Sequence, residues 1–352
     1  MNGTLLLTRR EVASLLDLDE CIAAVEEAFR AHAEGRAIAP GVLSAAAEGG
    51  AFHVKTAGLL AELGTPSRTE ELPGSHRPAT AASTAARPYF AAKVNGNFYR
   101  NAERGLPRIQ GLIVLCDAGN GTPLAVMDST EITRARTGAA TAVAAKYLAR
   151  PDSAVATICG CGLQGRVQLR CLARVLPLER AYAFDVEGSA AARLAAELAP
   201  ELGIAVVATD DLGAAVRESD VCVTCTPANR PLLGRGDLRP GSFLAAVGAD
   251  SPEKQELEPG LLAAAKVVVD HLEQCATLGE LHHALEAGVM SRSDVHAELH
   301  EVVAGRRPGR TSPEEIFVFD STGVALQDVA AAALVFEKAL AAGVGGRWDL
   351  LA

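Results

Sequence analysis

AVATICGCGLQGRVQLRCLARVLPLERAYAFD, residues 154–185, breaks into four parts. The apolar run Ala154 to Cys159 has the length of a strand. Gly160-Cys161-Gly162-Leu163-Gln164-Gly165 is a complete G-x-G-x-x-G. Leu163, Val167, Leu169, Leu172 and Val175 then recur at helical spacing, and a second apolar run, Ala181 to Phe184, ends on Asp185. Strand, glycine turn, helix and strand in this order make a βαβ unit whose first turn can take a pyrophosphate. Gly160 permits the tight turn, Gly162 leaves room for phosphates, and Gly165 lets the helix pack on the strand. Amides at the helix start supply the anion site. Asp185 lies about 20 residues past the last glycine, where an acid accepts from ribose hydroxyls and repels a 2′-phosphate. This predicts NAD rather than NADP. The alternative for the same residues is a plain structural βαβ turn.

Working outward, strand and helix patterns go on alternating. A helix is expected at 189–202, a strand at 204–208, a short helix near 211–218 and a strand at 220–226. Strands at 243–248, 266–270 and 315–320 follow, with a helix at 258–264 and a helical, polar segment from His271 to about Pro313. Such alternation predicts an α/β fold, a Rossmann-type doubly wound parallel sheet. Upstream the pattern differs. Two helices (8–36) lead into short strands around GVLSAAAEGG and AFHVKTAGLL, where Phe52 and Val54 alternate with His53 and Lys55. YFAAKV (89–94) reads as a strand with Asn95-Gly96 as a turn, and GLPRIQGLIVLCD and PLAVMD as hairpin strands. A small-residue helix then runs from Asp128 to Arg150. Residues 61–88 carry Pro, Ser, Thr, Ala and Gly without periodicity and read as a flexible insert. The expected organisation is a mixed α+β substrate and dimerisation domain (1–130, completed by the Ala-rich helix and tail at 324–352) around a nucleotide domain (131–323).

The 352 residues carry a formal charge of −10, with 49% hydrophobic, 22% charged and 4% aromatic side chains. Without a basic excess there is nothing to displace counterions from nucleic acid. No apolar run approaches the ~20 residues that span a bilayer, and the start of the chain lacks a signal-peptide core, so a cytoplasmic protein is expected. The eight cysteines fit reduced thiols better than a disulfide frame. Cys159/Cys161 and Cys222/Cys225 fall within strand and turn rather than forming zinc half-sites. His296 and His300 have metal-binding spacing but stand among acids on a solvated stretch, and adjacent His282 and His283 point apart on a helix, so no metal is expected.

In open α/β sheets ligands bind beyond the carboxyl ends of the strands. The strand at 243–248 is followed there by Asp250, a carboxylate in a Gly/Pro-flanked turn and a candidate general acid/base. Lys55, Lys93 and Arg136 are cations on ordered elements otherwise poor in charge, suited to hold a substrate carboxylate.

These residues, with YFAAKVNGN, GLPRIQGLIVLCD, ITRARTGAATAVAAKYLAR, GCGLQG, VTCTP, VGADSPEKQEL and FDSTGVALQDVA, resemble the ornithine cyclodeaminase/mu-crystallin family over nearly the full length. The resemblance implies a homodimer with an NAD(H)-binding Rossmann domain and a split substrate and dimerisation domain. It implies Lys93 and Asp250 as catalytic residues and Arg136 as a substrate-binding one. Thr137, Gly160, Gly162, Leu163, Gln164, Gly165, Asp185, Thr226, Val247 and Gly248 are expected along the cofactor, and Ser321, Thr322 and Gly323 in a loop over nicotinamide and substrate. Three departures speak against ornithine. The arginine expected soon after Pro40 is absent, with Lys55 as the candidate replacement. Arg108 stands where threonine is usual, and the insert at 61–88 is long. The implied activity is NAD(H)-dependent oxidoreduction at the C–N bond of an amino acid or its imine. The alternatives are a redox-neutral cyclodeaminase and a non-catalytic NAD(P)H-binding protein.

Overall fold

Helical and strand periods separate cleanly in the structure, a computed structural model that describes residues 3–60 and 87–350. The chain opens with β1 (Thr4–Leu7), α1 (Arg9–Leu15), α2 (Leu18–Ala33), β2 (Ala37–Ala47), β3 (Gly50–Leu59), β4 (Tyr89–Phe98), β5 (Ile109–Asp117), β6 (Pro123–Asp128) and α3 (Thr130–Leu148). It continues through β7 (Val155–Cys159), α4 (Leu163–Val175), β8 (Arg180–Phe184), α5 (Gly188–Leu202), β9 (Ala205–Thr209), α6 (Leu212–Glu218), β10 (Val221–Thr224), β11 (Asn229–Leu233), β12 (Phe243–Ala246) and β13 (Gln255–Leu257). The last elements are α7 (Pro259–Leu262), β14 (Lys266–Val269), α8 (Leu272–Leu278), α9 (Glu280–Glu286), β15 (Ala297–Glu298), α10 (Leu299–Val303), β16 (Phe317–Asp320), α11 (Ala325–Ala342) and β17 (Gly346–Trp348). The insert expected at 61–88 falls almost wholly on residues 61–86, outside the described residues.

One sheet has the order β15-β14-β16-β12-β10-β7-β8-β9 and is parallel throughout. Its chain order reverses between β7 and β10, which makes the gap between their carboxyl ends a topological switch point. Strands covered on both faces read as continuous apolar runs, and Val221–Thr224, Phe243–Ala246 and Phe317–Asp320 are buried without alternation. One apolar cluster beside this sheet draws on α2, α3, α4, α5 and α11; a second draws on α6, α7, α8 and α9.

The other large sheet is mixed, with order β17-β1-β6-β5-β4-β3-β2. Here β4 corrects the sequence reading. It runs on through Asn95-Gly96 to Phe98, because Gly96 is paired on both sides, with Phe52 of β3 and Gln110 of β5. Pairing on both edges overrides the local turn propensity of an Asn-Gly pair. Along β4 the inward positions are Tyr89, Ala91, Lys93 and Asn95, all buried. The small Ala57 and Ala91 let α11 lie close on this face, and α11 answers with Ala330, Ala331 and Ala332, also buried. The fold is therefore α/β, a doubly wound parallel sheet joined to a mixed-sheet unit.

Candidate active site

The glycine turn is built as a cofactor cradle. Gly160 has φ +101°, a conformation that side chains disfavour, and a Cβ on Gly165 would come within 2.1 Å of the Gly160 carbonyl oxygen. α4 begins at Leu163 with Gly162 as its N-cap and no side chain capping it, so the first amides of the helix are open to an anion. A Cβ at Gly162 would meet nothing within 4 Å, which is the space a pyrophosphate needs. Gln164 Oε1 is buried without a hydrogen-bond partner. Asp185 directly follows β8 and accepts from the Cys161 amide at 2.8 Å, tying the acid to the turn. Leu163 and Val186 beside it are exposed, at 57% and 89%. Glycine turn, helix start and terminal acid fit a dinucleotide.

The cations converge on a carboxylate that sequence reasoning missed. Lys55 and Lys93 are directly opposite each other on β3 and β4 and so share a face. Lys93 Nζ pairs with Asp328 Oδ2 at 2.6 Å, and Arg136 Nε with Asp328 Oδ1 at 2.9 Å. Arg136 Nη1 also donates to Gln327 Oε1 at 2.8 Å. Lys93, Arg136 and Asp328 are buried, with Asp328 1% exposed. Lys55 Nζ donates instead to the carbonyls of Thr322 (3.1 Å) and Gly323 (2.7 Å), joining the mixed sheet to the loop after β16. Two buried cations thus share one acid, and Lys55 adds a third positive charge nearby. Burial, helped by Arg136 and Lys55 and opposed by Asp328, pulls the Lys93 ammonium down to about 7. Burial works against the Asp328 charge, but Lys93 and Arg136 hold its pKa below the ordinary carboxylate value.

Asp250 stands across from this cluster in the turn after β12. Its side chain keeps about half its surface and is paired with Lys254. Crowding by protein works against its charge, and Lys254, with Lys55 and His53 farther off, outweighs that and keeps its pKa low. His53 lies two residues from Lys55 on the same strand face, next to Asn95 on β4. The loop Ser321–Gly323 is hung from Asp270, which accepts from Ser321 Oγ (3.0 Å), Thr322 Oγ1 (3.1 Å) and Gly323 N (2.6 Å). Thr226 and Gly248, after β10 and β12, are both bonded to Glu256. Val247, the residue before Gly248, is partly buried. Thr137 Oγ1 donates back to Thr133 O at 2.7 Å within α3. Arg108 Nε donates to Asn97 Oδ1 at 3.2 Å.

Asp328, Asp270 and Glu256 were not singled out from the sequence. Asp328 lies in the first turn of α11, a mostly apolar helix that also carries Gln327, Glu337 and Lys338.

The histidines behave differently from their spacing. His296 and His300 do not share a helix, because β15 intervenes; His296 Nε2 meets Pro308 O and the His300 ring packs edge-on against His32. His282 and His283 do not point apart: donor atoms of His282, His283 and Glu286 lie within 4.8 Å of one another. Positions i, i+1 and i+4 of a helix span only about 100° of arc. All eight cysteines are free.

The sequence profile of the ornithine cyclodeaminase/mu-crystallin family matches residues 69–343. An alanine dehydrogenase from Archaeoglobus fulgidus is 40% identical over 344 residues, 98% of each chain. Among solved structures, an archaeal alanine dehydrogenase dimer with bound NAD superposes with a TM-score of 0.88 at 39% identity, covering 99% of this chain and all of that one. The Δ1-pyrroline-2-carboxylate reductase of Thermococcus litoralis, in complex with NADH and L-proline, gives 0.88 at 32% identity, covering 98% and 100%. With a profile match across most of its length and a relative this similar end to end, the chain belongs to the ornithine cyclodeaminase/mu-crystallin family.

Proposed function

We propose that this protein is an NAD(H)-dependent oxidoreductase acting on the C–N bond of a small amino acid or its imine. The observation that carries the reading is the pair of buried cations Lys93 and Arg136 on the one carboxylate of Asp328, with Lys55 adding positive charge nearby. A site with that excess of positive charge recruits an anion, and it lies beside the strand ends where a dinucleotide fits. NAD supplies the acceptor or donor for the hydride at Cα. Arg136, its Nε and Nη1 already engaged, offers Nη2 to the substrate carboxylate, and Lys55 adds charge beside it. Lys93 takes the proton from the substrate nitrogen in oxidation and returns it in reduction, a task suited to a lysine at about 7. Asp250, kept ionised by Lys254, orients the water that hydrolyses the imine to keto acid and ammonia.

Residues 131–323 carry the cofactor in this reading, and 1–130 with 324–352 carry the substrate and the subunit contact. The active form is a homodimer, supported by an exposed apolar row across β2–β5, where Leu43, Val54, Val94 and Leu112 are paired in turn. Eight free thiols favour a reducing compartment, the cytoplasm. No helix among the described residues is long and apolar enough to cross a membrane.

The test is an assay of amino acids with NAD+, and of 2-keto acids with ammonia or amines against NADH, with NADPH in parallel. Net NADH formation or consumption on a small amino or keto acid is expected. Ammonia release without net NADH change would make the protein a cyclodeaminase, and cofactor binding without turnover would make it a binding protein.

A further inference from the structure

Glu256 is fully buried on the three-residue strand β13, and no lysine, arginine or histidine pairs with it among the described residues. Its carboxylate instead accepts from the Thr226 amide (2.6 Å), the Thr226 hydroxyl (2.7 Å) and the Gly248 amide (2.9 Å). These donors come from two loops, one after β10 and one after β12. A Cβ on Gly248 would come within 2.5 Å of the Glu256 carboxyl, so the missing side chain there is what admits the acid. The Glu256 backbone is fixed in turn by Glu280, which accepts from the amides of Glu256 (2.7 Å) and Leu257 (3.1 Å).

Two features need explaining. Every partner of the Glu256 carboxylate is a donor, and these bonds favour its ionised form against burial, which still raises its pKa above the ordinary carboxylate value. Yet a buried anion without a counter-ion is costly. Burial pushes Glu280 up to about 9, so the acid behind Glu256 is neutral near pH 7 and adds no second negative charge. The place where a counter-charge is wanted is the floor between the ends of β10 and β12. In a doubly wound sheet, that side of the switch point receives the nicotinamide half of the cofactor. An oxidised nicotinamide ring is cationic and a reduced one is neutral.

We propose that Glu256 is a positioning residue for the nicotinamide end of the cofactor, and that its buried negative charge favours the oxidised ring over the reduced one. It does so by pinning Thr226 and Gly248 in one geometry and by leaving its own charge unpaired in the protein. This rests on the reading of the protein as an NAD(H) enzyme.

The experiment measures dissociation constants for NAD+, NADH and ADP-ribose, the last lacking the ring, by calorimetry on the full-length protein. In Glu256→Gln the affinity for NAD+ should fall at least about five-fold more than that for NADH, while ADP-ribose binding stays within about two-fold. Glu256→Asp keeps the charge but retracts it, so both ring-bearing cofactors should weaken together with their ratio within about two-fold of the parent. Equal weakening of NAD+ and NADH in the Gln variant would overturn the charge assignment. Should the Gln variant not fold, a five-fold or larger swing against NAD+ in the Asp variant, where the charge is retained, would overturn it as well. If the parent protein binds neither cofactor, the functional reading fails and the role of Glu256 falls with it; if the parent binds both and the Gln variant does not discriminate between them, the role of Glu256 alone is overturned.

Discussion

Two adjacent rows of one sheet contradict each other's expected chemistry. Along the row Lys55, Lys93 and Ile113, the side chains face α11 and the interior, and two of the three are lysines. One residue along, Leu43, Val54, Val94 and Leu112 face outward, and Leu43 and Leu112 are 65% and 52% exposed. Charge sits inside and hydrocarbon outside. A one-residue slip in register would exchange the two faces and give an ordinary half-buried sheet. Both inversions cost stability in an isolated chain, and the proposed function accounts for each: a carboxylate substrate within, a second subunit without.

The sharpest way to break the inner row is Lys93→Ala. It should lower kcat/KM by about 10²- to 10⁴-fold while NADH still binds, read by steady-state kinetics alongside a fluorescence titration. Retained turnover would remove Lys93 from the chemistry. Asp328→Asn strikes the same row by leaving Lys93 and Arg136 buried without their carboxylate. A loss of about 3–5 kcal/mol in urea unfolding is expected, and a loss below 1 kcal/mol would mean the cations are hydrated rather than dry. On the outer row, Leu112→Glu should shift the sedimenting species from dimer to monomer, weakening association about 100-fold, a hot-spot loss. An unchanged dimer would place the subunit contact elsewhere. The smallest effect is on pH. With Lys93 at about 7, the neutral amine is the proton acceptor in oxidation, so that rate should rise up to about ten-fold per pH unit below 7 and level off above. The reductive rate needs the ammonium and should fall as pH rises through the same value. Lys93→Arg should abolish both limbs.

Much of this was legible in the residues. The glycine turn, its helix and Asp185 follow directly from 154–185, and the inward position of Lys93 follows from alternation with Tyr89 and Ala91. What could not be read is what holds those residues. Asp328 in the first turn of α11 reads as an ordinary complement to the helix dipole, and its partner Arg136 is 192 residues away. Glu256 lies in a three-residue strand too short to show a period, and β11, its partner strand, carries a proline. The Asn95-Gly96 turn was misread for the converse reason: a strong local signal lost to pairing on both sides of β4.

The pairing of Lys93 and Arg136 with Asp328, and of Lys55 with the Thr322 and Gly323 carbonyls, also sets an order of events in folding. The contact from Lys55 to Gly323 closes a loop of 268 residues, and the whole parallel sheet is threaded between its ends. Until the 321–323 loop and α11 dock, the lysines of β3 and β4 have only water for partners, and hydrated cations resist burial. Long-range contacts of this kind form late, after shorter loops have closed. The parallel sheet can therefore be native while the proposed reaction centre is still open to solvent. Cofactor binding should recover first on refolding from urea, and turnover only afterwards.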